Sequence, residues 1–404
     1  MNTDQFLKRK FEYKMVLREE MHAHLVNDIL PYWMKRTLDK EHSGFYGRID
    51  GENQLHPKAD KGSILNARIL WTFSAAYNQF KNPQYLGIAD RAFAYFIDHF
   101  IDNTHGGVYW MIDFLGNPTE TKKQIYAQAF AIYGLSEYYK ATKNEKALIT
   151  AKNLFHLIEH HAFDQEENGY FEAYDRKWNL LEDLRLSAKD ANEKKTMNTH
   201  LHILEAYTTL FQVWKDEQLK KQLKNLIVLF LDKFVNVHYG FRLFFDEHWN
   251  SKSDEISFGH DIEGSWLLQE AAEILGDKSL IEKTKKYANL MVDNVLLNGF
   301  DNDAGLMYEA TPEGIKDADK HWWPQAEAIV GLVNAWQNSS NNKYLQKSSD
   351  VWDFIKSKII DAENGEWFFK VNNKGQPYIL EDKVGPWKCP YHNGRACLEI
   401  IKRL

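Results

Sequence analysis

GGVYWMIDFLGNP, residues 106–118, alternates aromatic and polar side chains behind a glycine pair and then meets Gly-Asn-Pro, the pattern of a short strand running into a hairpin. Five variants of this unit recur: SGFYGRID (43–50), NGYFEAYDRKWN (168–179), YGFRLFFDEHWN (239–250), AGLMYEATPEG (304–314) and NGEWFFKVNNKGQP (364–377). Measured between Gly44, Gly107, Gly169, Gly240, Gly305 and Gly365, the spacings are 63, 62, 71, 65 and 60 residues. Between the units the periodicity changes to helical, as in AFAYFIDHF (92–100), IYAQAFAIYGLSEYYKAT (125–142) and KALITAKNLFHLIEHH (146–161). Two helices and a β-excursion per unit of about 65 residues is the mark of a repeat architecture.

Six helix pairs predict an all-α fold, an (α/α)6 barrel with short β-hairpin excursions, one helix of each pair facing the centre. An open solenoid is the alternative, but solenoid repeats usually run about 33 to 47 residues. No Pro/Gly/Ser-rich linker interrupts the chain, so residues 1–404 read as one catalytic domain. Closure would bring the inner-helix ends and their loops to one central cleft.

Composition narrows the function. Fifty Lys and Arg against 57 Asp and Glu give a net charge of -7 without basic blocks, which argues against nucleic acid and against an anionic membrane as partner. No apolar run approaches the ~20 residues needed to span a bilayer, and MNTDQFLKRKFEYKMVLREE is too polar for a signal peptide. Cys389 and Cys397 are too few for a disulfide framework and lack metal-ligand spacing, which points to a reduced cytoplasm. Aromatic residues make 14% of the chain. Such a surplus serves either a Trp-rich core or a sugar site, since flat rings stack on the apolar faces of pyranoses.

Several helical stretches carry polar groups where a packed helix should be apolar. In KADKGSILNARILWTFSAAY (58–77), Arg68 sits among Ala67, Ile69, Leu70 and Trp71. It either snorkels to solvent or points inward as a fixed cation with five donors. In TMNTHLHILEAYTTLF (196–211), His200 and His202 lie two positions apart, so only one of them can face the centre, and periodicity does not choose. In SFGHDIEGSWLLQEAAEIL (257–275), His260 and Glu263 are helical neighbours at i and i+3; the carboxylate could hold the imidazole and raise its pKa, while Gly259 and Asp261 suit an N-terminal cap. VGPWKCPYHNGRACLEI (384–400) places His392 after two prolines, on a bent loop entering the last helix. DKHWWPQAEAIVGL (319–332) adds Trp322, Trp323 and Glu327 at another helix start, where Pro324 suits the first turn.

At these residues the chain resembles the N-acylglucosamine 2-epimerase superfamily, most nearly its cellobiose 2-epimerase branch. The stretches KGSILNARILWTFS, MNTHLHILEAY, FGHDIEGSWLL, KHWWPQAEA and GPWKCPYHNGRACLE carry the resemblance almost from end to end. It implies a barrel that epimerises C2 of the reducing sugar of a β-1,4-linked disaccharide, with neither metal nor other cofactor, acting as a monomer or weak homodimer. N-acylglucosamine or mannobiose are the alternative substrates, and WKCPYH favours the disaccharide branch.

Carried onto this chain, the resemblance places catalytic histidines at His200, His260 and His392, with His200 preferred over His202 through the NTH motif. It places sugar ligands at Arg68, Tyr126, Asn198, Glu263, Trp266, Trp322, Glu327 and Trp387. Epimerisation needs ring opening, removal of the proton α to the aldehyde, and its return on the other face. Histidine suits both directions near neutral pH. The expectation is therefore that His260 and His392 flank C2, and that Arg68 and His200 donate to the enediolate oxygens. Glu263 should orient His260, Glu327 should bond sugar hydroxyls, and Trp322 and Trp387 should stack on the rings. Activity should fall below about pH 6 as the base protonates. Two rivals of other classes are a glycoside hydrolase using Glu263 and Glu327 as its carboxylate pair, and a non-catalytic binding protein.

Overall fold

The computed structural model describes residues 3–404, with side chains described from Tyr13 onward. The chain is mostly helical. Helix α1 (Thr3–His24) runs through a π-helical turn, Leu25–Ile29, into α2 (Leu30–Arg36). Five tightly joined pairs follow: α3 (Ser63–Phe80) with α4 (Pro83–His99), α5 (Ile125–Thr142) with α6 (Glu145–His161), α7 (Met197–Val213) with α8 (Glu217–Leu229), α9 (Phe258–Leu275) with α10 (Lys278–Asn298), and α11 (Trp322–Ser339) with α12 (Asn342–Phe354). The last helix is α13 (Tyr391–Arg403), which packs on α1.

The pairs turn sharply for identifiable reasons. Lys81, Lys143, Gly276 and Ser340 end four of the odd-numbered helices in the left-handed conformation. The next residue or residues then cap the following helix: Asn82, Asn144, Asp216, Asp277 and Asn341 each accept a backbone N–H of its first turn. Helices α3, α5, α7, α9 and α11 are buried over nearly their whole circumference, whereas α4, α6, α8 and α12 bury one face only. Contacts run from α3 to α5, α7, α9, α11 and α13, and from α13 back to α3.

The hairpins follow the same cycle. Lys61–Gly62, just before α3, pairs antiparallel with Met111–Ile112 of the next unit, and the strands before α5, α7, α9 and α11 each pair onward in the same way. Val384, ahead of α13, pairs with Ile49 of the first unit. Buried ion pairs fasten these strands. Lys61, Lys123, Lys195 and Lys320 reach Asp39, Asp102, Asp164 and Asp301 at 2.8, 3.0, 2.7 and 2.7 Å, and Lys383 pairs with Asp361. Each lysine side chain is inaccessible to solvent. In the fourth unit both members change together: Asn236 takes the aspartate's place in the turn and Ile256 the lysine's place in the strand.

A second repeated fastening lies one turn into the helices. The fourth residue of α5 and of α11 is a glutamine that binds both backbone groups of a hairpin residue. Gln128 accepts from Val108 N–H at 2.6 Å and donates to its carbonyl at 3.0 Å, and Gln325 does the same to Leu306 at 2.7 and 2.8 Å. Asp261, fourth in α9, accepts from Phe241 N–H at 2.7 Å.

Breaking a buried ion pair leaves an uncompensated charge, so Lys61→Ile should lower stability by about 3–5 kcal/mol. Adding Asp39→Asn, the combination native to the fourth unit, should recover most of that loss. Urea denaturation of the two variants checks this, and equal midpoints for the single variant and the parent chain would contradict it.

Candidate functional site

The inner helices present one side chain each at the same level. The sixth residues of α3, α5, α7, α9 and α11 and the fifth of α13 are Arg68, Phe130, His202, Glu263, Glu327 and Arg395. All are buried. Above this level opens a cavity of about 490 Å³, whose wall includes Arg68, His202, His260 and His392. Tyr126, Asn198, Trp322, Trp323 and Trp387 complete the parts that could face a sugar.

His260 and His392 come from α9 and α13, far apart in sequence, and both flank the Trp323 ring, at centroid distances of 4.7 and 5.6 Å. Helix α13 begins at Tyr391, so His392 stands in its first turn rather than on the approaching loop. Its Nδ1 donates to Glu327 Oε1 at 2.7 Å. A carboxylate only accepts, so neutral His392 carries its proton on Nδ1 and turns a lone pair on Nε2 outward. Burial, with the cations Arg68 and Arg395 nearby, pushes His392 well below the usual imidazole range. Burial lowers His260 as well, to about 3. Both rings are therefore neutral near pH 7, opposite to the raised pKa that the His260–Glu263 spacing suggests.

Glu263 does not hold His260. Its carboxylate accepts from Arg395 Nη2 at 2.6 Å, a charged donor that a neutral imidazole cannot displace, and Ser257 Oγ takes His260 Nδ1 at 2.8 Å instead. Burial, with Glu327 alongside, pushes Glu263 up to about 7 against the pull of Arg395. Glu327 is likewise spent within the protein. Besides His392 it accepts from Arg395 at 2.7 Å and from Trp266 Nε1 at 3.1 Å, so it orients an imidazole rather than a sugar hydroxyl. Trp266 is not in the cavity wall: it is 2% exposed, with the Arg395 guanidinium 4.8 Å over its ring. Glu263, Glu327 and His392 could converge on a metal ion, but Arg395 already places its positive charge between the two carboxylates.

His202, not His200, reaches the cavity. His200 occupies the fourth position of α7, where α5 and α11 carry their clamping glutamines, and it performs that function: Nε2 accepts from Tyr170 N–H at 2.9 Å and Nδ1 donates to the Thr196 carbonyl at 2.6 Å. Both nitrogens are occupied and the ring is wholly buried. His202 is held by Glu205 at 2.9 Å and packs beside Tyr126 and Phe130. Burial would raise Glu205, but Arg395 and His202 hold its carboxyl down at about 2, so His202 has an ionised partner.

Arg68 points inward. It is 2% exposed, donates to Tyr126 Oη at 2.9 Å, and lies 4.1 and 4.7 Å over the rings of Phe130 and Tyr391. Among the described residues no carboxylate pairs with it, and its Nε has no partner. A buried cation facing hydroxyls and π-faces is suited to an oxygen that becomes anionic. Asn198 Oδ1 and Trp322 Nε1 are also buried without partners. Trp387 is partly exposed on the wall, and Trp323, for which the sequence suggested no role, is a further ring there.

The family model described as N-acylglucosamine 2-epimerase matches residues 44–396, and the chain belongs to that family. A cellobiose 2-epimerase of Bacteroides fragilis is 51% identical over 388 residues, covering 96% of this chain and 99% of its own. One of Dictyoglomus turgidum is 39% identical over 391 residues, covering 96% and 99%. The solved cellobiose 2-epimerase of Bacillus thermoamylovorans superposes with a TM-score of 0.92 at 41% identity, covering 96% of this chain and all of that one.

The clamp role of His200 has a consequence for stability. Burial lowers its pKa to about 3, below the ordinary value of 6.5. Between those values the unfolded chain binds the extra proton, so stability falls as pH drops from 6.5 towards 3. His200→Gln, which copies Gln128 and Gln325, should fold normally and lose less stability between pH 7 and 4.5 than the parent. Thermal melts at several pH values test this, and an unchanged pH dependence would argue against it.

Proposed function

We propose that the chain is an (α/α)6-barrel isomerase that interconverts the glucose and mannose configurations at C2 of the reducing sugar in β-1,4-linked disaccharides, with cellobiose as substrate. The barrel reading rests on the cycle of contacts from α3 round to α13 and back, matched by the hairpin pairing that ends with Val384 on Ile49. A reduced, cytoplasmic setting suits two free, buried cysteines. The observation that carries the function is the meeting of His260 and His392 in one cavity, both beside the Trp323 ring and near a cation that has no carboxylate partner among the described residues.

The reaction divides among these groups as follows. His202, backed by ionised Glu205, exchanges protons with the ring oxygen and O1 as the pyranose opens to the aldehyde. One of His260 and His392 takes the C2 proton on Nε2 while the C–H electron pair moves into the enediolate. The other returns a proton to the opposite face, and the order reverses with reaction direction. Arg68 faces the developing negative charge on O1 and O2, where a preorganised donor contributes most. Trp322, Trp323 and Trp387 offer apolar surface to the sugar rings. A hydrolase on the same scaffold would need an acid and a second carboxylate free to act across the scissile bond. Glu263 lines the cavity, but Glu327 lies outside its wall with both oxygens engaged by His392, Arg395 and Trp266, so the pair is incomplete.

Incubation with cellobiose, followed by NMR, should yield glucosyl-mannose of unchanged mass and no free glucose. Free glucose would establish hydrolysis, and unaltered cellobiose would refute the substrate. His392→Ala should lower kcat by about 10²- to 10⁴-fold. His202→Gln should cost about 10²-fold or more, whereas His200→Gln should stay near the parent rate. Because burial lowers both flanking imidazoles, they remain unprotonated below pH 6.5 and the acid limb of kcat/KM should lie lower than ordinary histidine titration near pH 6 would place it. A limb centred at 6.5 would contradict this.

A further inference from the structure

The two imidazoles that flank Trp323 have unlike partners on their far nitrogens. His392 Nδ1 faces Glu327, which can only accept; His260 Nδ1 faces the Ser257 hydroxyl at 2.8 Å, which can accept or donate. Ser257 also stands at the N-cap of α9 without making the capping bond expected of a serine there. Thr196, at the same place on α7, does cap, accepting from Thr199 N–H at 3.2 Å. The Ser257 hydroxyl is thus withdrawn from helix capping and given to the histidine.

Behind this pair lies a second chamber of about 430 Å³. Ser257, Glu255 and Glu309 are in its wall, and it adjoins the central cavity, sharing Asn198, Tyr308, His321 and His260 itself with it. A disaccharide in the central cavity would cover the inward nitrogen of His260. Ser257 holds the far nitrogen of that ring on the side of the second chamber.

We propose that Ser257 is a positioning residue that lets His260 work from either neutral tautomer, its hydroxyl reversing between acceptor and donor as the ring gives or takes the C2 proton. The inference rests on the isomerase reading above. When His260 protonates C2, the enediolate electron pair forms the new C–H bond with the Nε2 proton, and the N–H pair stays on the ring. Nδ1 meanwhile takes the Oγ proton of Ser257, and the hydroxyl is refilled from water in the second chamber. In the reverse direction each transfer runs backwards. After product leaves, His392 releases the proton it removed to solvent, Nδ1 of His260 returns its proton through Ser257, and Nε2 takes one from water, which restores the starting tautomer and closes the cycle. His392, fixed as the Nδ1–H tautomer, has no such alternative.

The test is turnover of cellobiose by the full-length parent, Ser257→Ala and Ser257→Thr in mixtures of light and heavy water. Since no capping bond is lost, Ser257→Ala should give up only the bond to His260 and melt within a few degrees of the parent. Its kcat should fall about 10- to 100-fold with KM nearly unchanged, the weight of a lost proton-transfer partner. The parent's kcat should bow downward with deuterium fraction, as two moving protons require, while the alanine variant's should be linear. Ser257→Thr should restore both rate and bow. A parent-like kcat in Ser257→Ala, a threonine variant as slow as alanine, or a linear plot for an active parent would each overturn the proposal while leaving the isomerase reading standing. A parent that does not convert cellobiose overturns both.

Discussion

One buried guanidinium decides the state of the site. Arg395 lies against Glu205, Glu263 and Glu327, and two of those carboxylates hold the imidazoles of His202 and His392. Three acids around one base would be costly to bury if all were ionised. The network relieves this at Glu263, which rises to about 7, while Glu205 is held down at about 2 and Glu327 keeps three donors on its carboxylate. The same positive charge helps to keep His392 neutral. Electrostatics on the packed side of the ring therefore sets chemistry on the open side.

The cyclic scaffold explains how helices distant in sequence share one such network. Each unit fastens to the next through a strand or bridge pair; within a unit a buried Lys–Asp pair or its neutral counterpart, and in α5, α7, α9 and α11 a clamp in the first helical turn, tie the helix to its own hairpin. With those fastenings the inner helices keep common register, so their sixth positions fall at one level. The units can then differ at that level, as Arg68, His202 and Glu263 do, without disturbing the frame. His200 is instructive because it belongs to the frame although its residue type suggests chemistry.

Much of the fold was legible from the chain. The six aromatic, glycine-bearing units at intervals near 65 residues were enough to anticipate paired helices and hairpins, because turn chemistry and periodicity are local. His260 and Arg68 also stood out, as polar side chains inside otherwise apolar helices, and His392 as a group on a bent loop that proves to be the first turn of α13. The partnerships were not legible. Glu263 is spaced to meet His260, yet Arg395, 132 residues away, takes it. His200 and His202 could be separated only by aligning α7 with α5 and α11, where the fourth residue is glutamine. The Lys–Asp pairs had a signal in the lysine preceding the inner helices at Lys61, Lys123, Lys195 and Lys320, which the aromatic units overshadowed.

Two neutral imidazoles acting on opposite faces of a single carbon would leave an isotopic mark on the product. The most direct measurement is NMR of the product formed from cellobiose in heavy water at short times. The account requires deuterium at C2 of the epimerised reducing sugar and none at C1 or on the distal ring. Epimerised product that keeps its original hydrogen at C2 throughout would contradict transfer between two separate bases.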